Sequence, residues 1–228
     1  MTTKDNKNIK CAVFDLDGTL LNTIKTIHFY LNLSLRKNGF GEVDEKACMS
    51  FVGDGAVKLI ERALSNIGVN DSNAFSRVFS DYNMAYNANP YYLTEPYPEI
   101  RELIASLKDK EIKIAVLSNK PDFATRAAVA HFFGNSFSYV AGARDGVRLK
   151  PAPDSLLSIL SVLDVDPSET VYIGDSDQDI MTAKNAFLGG CISVTWGFRS
   201  REELISSGAT KLVDYPSDII KMINYELY

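Results

Sequence analysis

Two acidic segments stand out by the type and spacing of their residues. Asp15 and Asp17 come directly after an apolar run and are followed by Gly18, while Asp175 and Asp179 lie together much later in the chain. Carboxylate oxygens suit Mg²⁺, which commonly binds through one or two of them together with substrate phosphate. A carboxylate beside a metal can also attack phosphorus, and a second one two residues later could protonate the leaving oxygen and then activate water. The spacing therefore predicts metal-assisted chemistry at phosphorus.

Residues that could hold an anion occur in two further segments. Ser118 and Asn119 follow a second apolar run, and Lys150 precedes Pro151. The Ser118 hydroxyl and the Lys150 ammonium could face a phosphate group on the other side of the metal. Gly18 permits a tight turn whose free backbone N–H groups could reach phosphate oxygens. The sequence has no Gly-rich loop ending in Lys-Ser/Thr, so nucleoside-triphosphate binding of that type is not indicated.

Apolar runs that alternate with helix-length segments must position these residues. Strands separated by helices of this length indicate right-handed crossovers and a parallel sheet, and ligands bind at the carboxyl ends of such strands. We therefore expect an α/β fold with a doubly wound, Rossmann-like parallel-sheet core. The predicted strands cover about 9–14, 112–117, 137–140, 170–173, 191–195 and 211–213.

The segment between the first two strands has a different pattern. Residues from about 21 to 88 have helical spacing throughout, and the following stretch to Pro98 is rich in proline, as linkers are. The expected organisation is a catalytic core of residues 1–20 and 90–228 with an inserted helical cap domain at 21–89. Gly53-Asp54-Gly55 interrupts the helical pattern and is either a simple helix break or part of a substrate pocket.

Composition narrows the class of protein. The 228 residues are 46% hydrophobic and carry a formal net charge of −5, which argues against a broad nucleic-acid surface. No stretch approaches the ~20 apolar residues of a membrane span, and the polar N-terminus lacks the apolar core of a signal peptide. The three widely spaced cysteines are typical of reduced thiols. We expect a cytoplasmic enzyme, monomeric or homodimeric, that binds neither nucleic acid nor membrane.

Four separated motifs resemble those of the haloacid dehalogenase superfamily, in the same order. Within that superfamily the chain is most similar to the phosphoglycolate phosphatase group, through its segments at 51–56, 97–100, 179–186 and 196–199. The four motifs are Asp15-Leu16-Asp17-Gly18-Thr19-Leu20, Leu117-Ser118-Asn119-Lys120, Lys150-Pro151-Ala152-Pro153-Asp154 and Gly174-Asp175-Ser176-Asp177-Gln178-Asp179.

The resemblance implies a role for each acidic motif residue. Asp15 would be the nucleophile and a Mg²⁺ ligand. Asp17 would be the general acid/base, and its backbone carbonyl a further ligand. Asp175 would bind Mg²⁺ directly, and Asp179 would be a ligand or would orient a metal-bound water. Superfamily dehalogenases lack the second aspartate of the first motif, so Asp17 indicates phosphoryl chemistry.

The remaining roles concern phosphate and substrate. Ser118 and Asn119 would hold the phosphoryl group, and Lys150 would neutralise charge between the nucleophile and the phosphate. Gly18 and Thr19 would line the phosphate site, and the cap residues Gly53, Asp54 and Gly55 would contact the leaving group. One departure lies at the cap hinge, where the group often has Asp-Ser and this chain has Leu21-Asn22-Thr23.

The combined pattern predicts a Mg²⁺-dependent phosphatase that acts on a small phosphate monoester through an aspartyl-phosphate intermediate. Phosphoglycolate is the first candidate substrate. A phosphomutase or pyrophosphatase on the same scaffold is the alternative enzyme, and a phosphate- or metal-binding regulatory protein is the alternative outside enzymes. The roles of Asp177, Arg144 and Arg148 stay open at this level, as does the physiological substrate.

Overall fold

The computed structural model describes residues 8–225, which contain a six-stranded parallel sheet, a separate two-stranded ribbon and ten α-helices. A short 3₁₀ turn at Pro167–Glu169 precedes one of the strands. The strands are β1 Cys11–Phe14, β2 Leu21–Asn22, β3 Glu95–Pro96, β4 Lys113–Pro121, β5 Tyr139–Ala143, β6 Thr170–Gly174, β7 Gly190–Val194 and β8 Leu212–Val213. The helices are α1 Ile24–Lys37, α2 Glu45–Phe51, α3 Gly55–Asn66, α4 Ser72–Ala88, α5 Ile100–Asp109, α6 Asp122–Phe133, α7 Asp154–Leu163, α8 Asp177–Asn185, α9 Arg201–Ser206 and α10 Pro216–Tyr225.

The position of β1 in the large sheet decides where the first motif lies. The strand order is β5-β4-β1-β6-β7-β8, so β1 lies between β4 and β6, and Cys11 pairs with both Lys113 and Thr170. All four β1 side chains are fully buried, as expected for a strand covered on both faces. In doubly wound sheets, ligands bind where the strand order reverses, and here β4 and β6 lie on opposite sides of β1. The predicted fold class is confirmed.

Hydrophobic clusters hold helices against each face of this sheet. On one face, Phe14 and Ile114 pack in a cluster that includes Leu103 and Leu107 of α5. On the other face, Val13 packs in a cluster that includes Leu156 of α7. Because alternate residues of a strand point to opposite faces, adjacent residues of β1 serve both clusters. The strand that ends at Asp15 is therefore fixed from both sides.

Helices α1–α4 share a hydrophobic cluster of their own. In α3 the buried residues Leu59, Ile60, Ala63 and Leu64 fall on one helical stripe and pack in this cluster with residues of α1 and α4. Phe198, which follows β7 in the sequence, also belongs to it. Side-chain caps begin two of these helices, since Asp44 accepts from Ala47 N–H and Asp71 accepts from the N–H groups of Asn73 and Ala74.

A short antiparallel ribbon joins the two ends of this helical segment. Leu21 pairs with Pro96 and Asn22 with Glu95, in a region where the sequence pattern predicted helix on one side and a linker on the other. Nearby, the Thr26 hydroxyl contacts Tyr92 O and Thr94 Oγ1. A strand of two residues is too short to show an alternating pattern in the sequence. Its pairing also depends on where two distant segments meet in the fold.

Within residues 8–225, no helix combines the length and the apolarity that crossing a bilayer requires.

Candidate active site

Three buried carboxylates meet at the carboxyl edge of the sheet. Asp15 follows β1, Asp175 follows β6, and Asp179 lies in the first turn of α8. One oxygen from each lies within 4.8 Å of the others, and all three residues are buried. The structure thus brings together three of the four residues that the sequence predicted as metal ligands. The fourth, Asp17, was predicted to contribute its backbone carbonyl.

Lys150 lies against two of these carboxylates. Its Nζ is 2.9 Å from Asp15 Oδ1 and 2.7 Å from Asp179 Oδ1, and it donates to the Tyr172 hydroxyl at 3.2 Å. The Tyr172 hydroxyl in turn donates to Leu117 O at 2.8 Å. Burial would lower the pKa of Lys150, but the carboxylates of Asp15 and Asp179 raise it well above its ordinary value. Lys150 is therefore a fixed positive charge in this site.

Hydrogen bonds fix the Asp175 carboxylate. Asp175 Oδ1 accepts from Thr19 Oγ1 at 2.8 Å, and its Oδ2 accepts from Phe198 N–H at 2.8 Å. Gly18 has a φ of +88°, and a Cβ at this position would collide with the Asp175 carboxylate. Glycine is therefore required at position 18 both by the backbone conformation and by the close approach of Asp175. Thr19, predicted as a phosphate-site residue, uses its hydroxyl here to hold Asp175.

The Asp179 carboxylate is fixed from the other side of the cluster. Its Oδ2 accepts from both the backbone N–H and the hydroxyl of Ser176, at 3.0 and 2.6 Å. This is the capping arrangement of a helix N-terminus, and it satisfies backbone groups of α8 while turning Asp179 Oδ1 toward Lys150. The cap of α8 and the acidic cluster are thus one structure.

Burial makes the ionised cluster unfavourable without a cation. Burial, with added repulsion from Asp179 and Asp175, raises the pKa of Asp15 to about 8 despite the opposing effect of Lys150. Burial and Asp179 likewise raise the pKa of Asp175 to about 7. Asp17 pairs with the buried Lys120, and Asp15 and Asp179 both pair with the buried Lys150, whereas the hydrogen-bond donors to Asp175 are neutral. When all four carboxylates are ionised, they carry two more negative charges than the two lysines neutralise. A divalent cation with oxygen ligands fits both the charge and the donor set.

Asn119 connects the end of β4 with two other segments. Its side chain accepts from Lys150 N–H at 2.8 Å and donates to Lys150 O at 3.2 Å and to Gly53 O at 3.0 Å. Ser118 accepts from Lys120 N–H at 3.3 Å, and both Ser118 and Asn119 line the central cavity. The structure therefore places Ser118 and Asn119 at the predicted edge, with the Asn119 side chain occupied by backbone partners.

Lys120 is a site residue to which sequence reasoning assigned no role. Its Nζ donates to Asp17 Oδ1 at 2.9 Å, to Asp17 Oδ2 at 3.2 Å and to the Tyr86 hydroxyl at 2.5 Å. The Lys120 side chain is 4% exposed, although it lines the cavity. Its place in the second motif, directly after Ser118 and Asn119, was the available signal. Its partners were not readable, because they lie on distant segments.

The cavity lies between the sheet edge and helices α1, α3 and α4. Its volume is about 740 Å³ including the part open to solvent. Gly53 and Gly55 line it, whereas the carboxylate of Asp54 pairs with Arg62 at 2.5 Å. Arg199 also lines the cavity and donates to the backbone oxygens of Met49 and Val52. The loop between α2 and α3 is therefore bonded to residues on both sides of the cavity.

The loop after β7 reaches both the acidic cluster and the helical segment. Trp196 Nε1 donates to Thr19 O at 3.1 Å, and the Phe198 side chain packs among the residues of α1–α4. The same Phe198 donates its backbone N–H to Asp175. A residue of this loop thus contacts a predicted metal ligand through its backbone and the helical segment through its ring.

The three residues left open by the sequence lie at the edge of this arrangement. Asp177 accepts from Gln178 Nε2 at 3.3 Å, and Arg148 forms an exposed ion pair with Asp154 at 2.8 Å. Arg144 lines a smaller recess of about 230 Å³ on the far side of Ser118 and Asn119. None of the three lines the central cavity.

A family comparison agrees with this geometry. Residues 12–189 match the family model described as haloacid dehalogenase-like hydrolase, which spans most of the chain and includes all four motifs.

Curated relatives and solved structures cover nearly the full length. The chain is 31% identical to a phosphoglycolate phosphatase of Neisseria meningitidis over 90% of this chain and 88% of that protein. It is 29% identical to a phosphoglycolate phosphatase of Aquifex aeolicus over 95% of this chain and 97% of that protein. A crystal structure from Lactobacillus delbrueckii subsp. bulgaricus is 33% identical with a TM-score of 0.88, covering 95% of this chain and 98% of that one. A predicted phosphoglycolate phosphatase from Haemophilus somnus is 25% identical with a TM-score of 0.87, over 94% of this chain and 97% of that one.

Proposed function

The chain belongs to the haloacid dehalogenase-like hydrolase family and is a phosphatase, and on that premise we propose that it hydrolyses a small phosphate monoester through an aspartyl-phosphate on Asp15. The observation that carries the proposal is the position of Asp15. Its carboxylate follows the central strand, 2.9 Å from Lys150 and within the cluster of three buried carboxylates. A carboxylate fixed beside positive charge is suited to attack phosphorus.

Asp17 is the proposed acid/base. It lies two residues from the nucleophile, lines the cavity and is less deeply buried than the acidic cluster. In the first step the Asp17 carboxyl group gives a proton to the leaving oxygen. In the second, the carboxylate takes a proton from the water that attacks the phosphorylated Asp15. Ser118 and Lys150 are proposed to hold the phosphoryl oxygens throughout.

The acidic cluster is the proposed Mg²⁺ site. Asp15, Asp175 and Asp179, with the backbone carbonyl of Asp17, would hold the ion. The bound ion supplies positive charge beside the phosphoryl group. The raised pKa values of Asp15 and Asp175, and the excess of two carboxylates over lysines, support this assignment.

For the substrate we propose 2-phosphoglycolate as the first candidate. The support is the name of the curated relatives that match this chain at about 30% identity over most of its length. The helical segment at 21–89 is proposed as a cap domain that excludes water and contacts the leaving group. A cavity that lies between this segment and the carboxyl edge of the sheet suits a small ester and leaves little room for a polymer.

The test is phosphate release from a panel of esters by purified protein with Mg²⁺. The panel holds 2-phosphoglycolate, glycerol phosphate, glucose phosphates, nucleotides and pyrophosphate, with Asp15→Asn as the inactive control. We expect phosphoglycolate among the best substrates, loss of activity in EDTA and recovery with Mg²⁺.

Different failures of this test have different meanings. Phosphoglycolate hydrolysis no faster than that of unrelated esters would overturn the substrate and leave the phosphatase. Conversion of a sugar phosphate to its isomer without phosphate release would favour a phosphomutase. Full activity after exhaustive removal of metal would overturn the metal site.

A further inference from the structure

Lys120 joins the proposed acid/base to the helical segment. Its three ammonium protons have three acceptors, namely the two carboxylate oxygens of Asp17 and the hydroxyl of Tyr86. Its Nζ also lies 4.8 Å from the centre of the Tyr86 ring. The ammonium group of this β4 residue is therefore fully bonded, to Asp17 after strand β1 and to Tyr86 of helix α4.

The buried ion pair between Lys120 and Asp17 is better explained by positioning than by stability. Removing two charges from water is unfavourable, and packed apolar side chains often stabilise a protein as well as a buried ion pair does. The Lys120 side chain is 4% exposed and that of Asp17 is 13% exposed. A buried ion pair does, however, fix the orientation of a carboxylate, and Asp17 is the residue whose orientation the proposed reaction needs.

Tyr86 ties this ion pair to the packing of the cap helices. Its ring packs against Tyr30 and Tyr82, with ring centres 5.5 and 5.4 Å away, and it belongs to the hydrophobic cluster of α1–α4. A shift of α4 relative to the sheet would therefore move the hydroxyl that accepts from Lys120. The other two acceptors, both on Asp17, would stay with the core.

We propose that Lys120 is a positioning residue that makes the orientation of Asp17 depend on the position of cap helix α4, through the hydroxyl of Tyr86. The inference rests on the proposed acid/base role of Asp17. With α4 in the position seen here, Lys120 holds the Asp17 carboxylate by both oxygens at the cavity wall. With α4 displaced, Lys120 loses its third acceptor, so its ammonium group is no longer fixed in the position that orients the Asp17 carboxylate. A protonated Asp17 still accepts from Lys120 through its unprotonated oxygen, so the carboxyl group keeps its orientation and delivers its proton efficiently only with α4 in this position.

The experiment compares two esters that differ in their need for a proton. Phenyl phosphate and p-nitrophenyl phosphate have similar shapes, and neither carries a charged group outside its phosphate. Phenol is a weaker acid than p-nitrophenol, so the phenyl ester depends more on protonation of its leaving oxygen. In Lys120→Met we expect kcat/KM for phenyl phosphate to fall about tenfold more than that for p-nitrophenyl phosphate. This is less than the about 10²–10⁴-fold of full acid/base assistance, because Asp17 itself remains. In Tyr86→Phe the same selective loss should appear and be smaller, because the ring and the Lys120–Asp17 pair remain.

Double variants separate this role from direct binding of substrate. If Lys120 acts through Asp17, Lys120→Met should change little in an Asp17→Asn background, and Lys120→Met/Tyr86→Phe should match Lys120→Met alone. The control is Lys37→Met. Lys37 is an exposed residue at the end of α1 that forms an ion pair with Asp81 of α4. This control should leave both esters unaffected.

Two outcomes would overturn the proposal. One is an equal loss for the two esters, or a rise in KM alone, either of which would make Lys120 a substrate-binding residue. The other is a full additional loss from Lys120→Met in the Asp17→Asn background. Should Lys120→Met fail to fold, Tyr86→Phe decides, because an absent or unselective effect there would also contradict the inference. Wild-type turnover of either ester tests the phosphatase proposal separately.

Discussion

The side chain of Asn119 bonds both backbone polar groups of Lys150, accepting from its N–H at 2.8 Å and donating to its C=O at 3.2 Å. The same amide donates to Gly53 O at 3.0 Å. One side chain at the end of β4 therefore sets the backbone that carries Lys150 and the backbone of the loop above the cavity. Asn119 acts through these two segments, so replacing it should disturb the site at two points.

We expect Asn119→Ala to reduce both stability and activity. The variant leaves three backbone groups without their partner, and a buried unsatisfied group costs about 1–3 kcal/mol. It also frees Lys150 from the position that faces Asp15, so kcat should fall more than the loss of stability would explain. Urea denaturation and steady-state kinetics on the same preparation measure the two effects.

The matched control for this variant is Asn38→Ala. Asn38 also makes three hydrogen bonds, to Ser34 O, to Asp81 and from Arg77, and it lies at the end of α1 away from the cavity. Asn38→Ala should lower stability and leave kcat unchanged. Similar kinetics in the two variants would show that Asn119 contributes to the fold alone.

A second prediction separates the two aspartates of the first motif. Asp15→Asn should abolish turnover and prevent formation of any phospho-enzyme, because an amide is a poor nucleophile. Asp17→Asn should lower kcat/KM by about 10²–10⁴-fold while still allowing a phospho-enzyme from an ester with a good leaving group. Rapid acid quench followed by intact-protein mass spectrometry detects the phosphorylated species. Retention of near-normal activity by Asp15→Asn would remove the proposed nucleophile.

The acidic cluster predicts how stability depends on pH when metal is removed. Burial raises the pKa of Asp15 to about 8 and that of Asp175 to about 7 in the folded state, from 3.8 for an unperturbed aspartate. Between about pH 4 and pH 8 the folded state therefore binds more protons than the unfolded state. Stability contributed by these groups is fully present below about pH 4 and is lost as pH rises toward 8.

Mg²⁺ should reverse this loss. Because the ion competes with protons for the same oxygens, its stabilising effect should be larger at pH 8 than at pH 6. Urea denaturation in EDTA and in Mg²⁺ at both pH values measures the difference. Asp175→Asn should abolish it, whereas Asp218→Asn, which alters a surface carboxylate paired with Lys221, should not. Equal stabilisation by Mg²⁺ at the two pH values would contradict a site built on these carboxylates.

A fourth prediction concerns the loop between α2 and α3. Gly55 has a φ of +84°, and a Cβ there would contact Leu149 Cδ1 at 3.4 Å and Asn119 O at 3.5 Å. Gly55→Leu adds backbone strain of about 1–2 kcal/mol and places further atoms at the cavity wall. Gly39→Leu is the control, since Gly39 has a φ of +77° with nothing within 4 Å of the added atom.

Kinetics should separate these two glycine variants. Both should lose stability, but only Gly55→Leu should raise KM or lower kcat for the physiological ester, and less so for an aryl phosphate that does not use the loop. An unchanged kcat/KM in Gly55→Leu would remove this loop from substrate recognition.

The parts of the site that could be predicted from sequence are those that depend on strand ends. Asp15, Ser118 and Asp175 each follow an apolar run, and parallel strands bring such positions to one edge whatever the details of packing. The meeting of Asp15, Asp175 and Asp179 in the structure follows from this rule. The strand order in the structure places Asp15, after β1, between Ser118 of β4 and Asp175 after β6.

The parts that could not be predicted depend on how the helical segment lies on the sheet. Lys120 contacts Tyr86, 34 residues away, only because α4 packs over the end of β4, whereas its contact with Asp17, 103 residues away, follows from the pairing of β1 with β4. Asp54 was predicted to contact substrate, and the structure adds that its carboxylate pairs with Arg62, about two turns into α3. Motif spacing identifies residues of the right type, but the direction of a side chain in a loop follows from its neighbours in space.

Phe198 connects the acidic cluster directly to helices α1–α4. Its backbone N–H holds Asp175 Oδ2, and its ring is part of the hydrophobic cluster of α1–α4. A cation bound by the Asp175 carboxylate would therefore compete with the backbone N–H of Phe198, the residue whose ring packs against the helical segment. If cation binding alters the packing around Phe198, the effect is reciprocal: a ligand that tightens this packing changes the affinity for the cation by the same factor as the cation changes the affinity for that ligand.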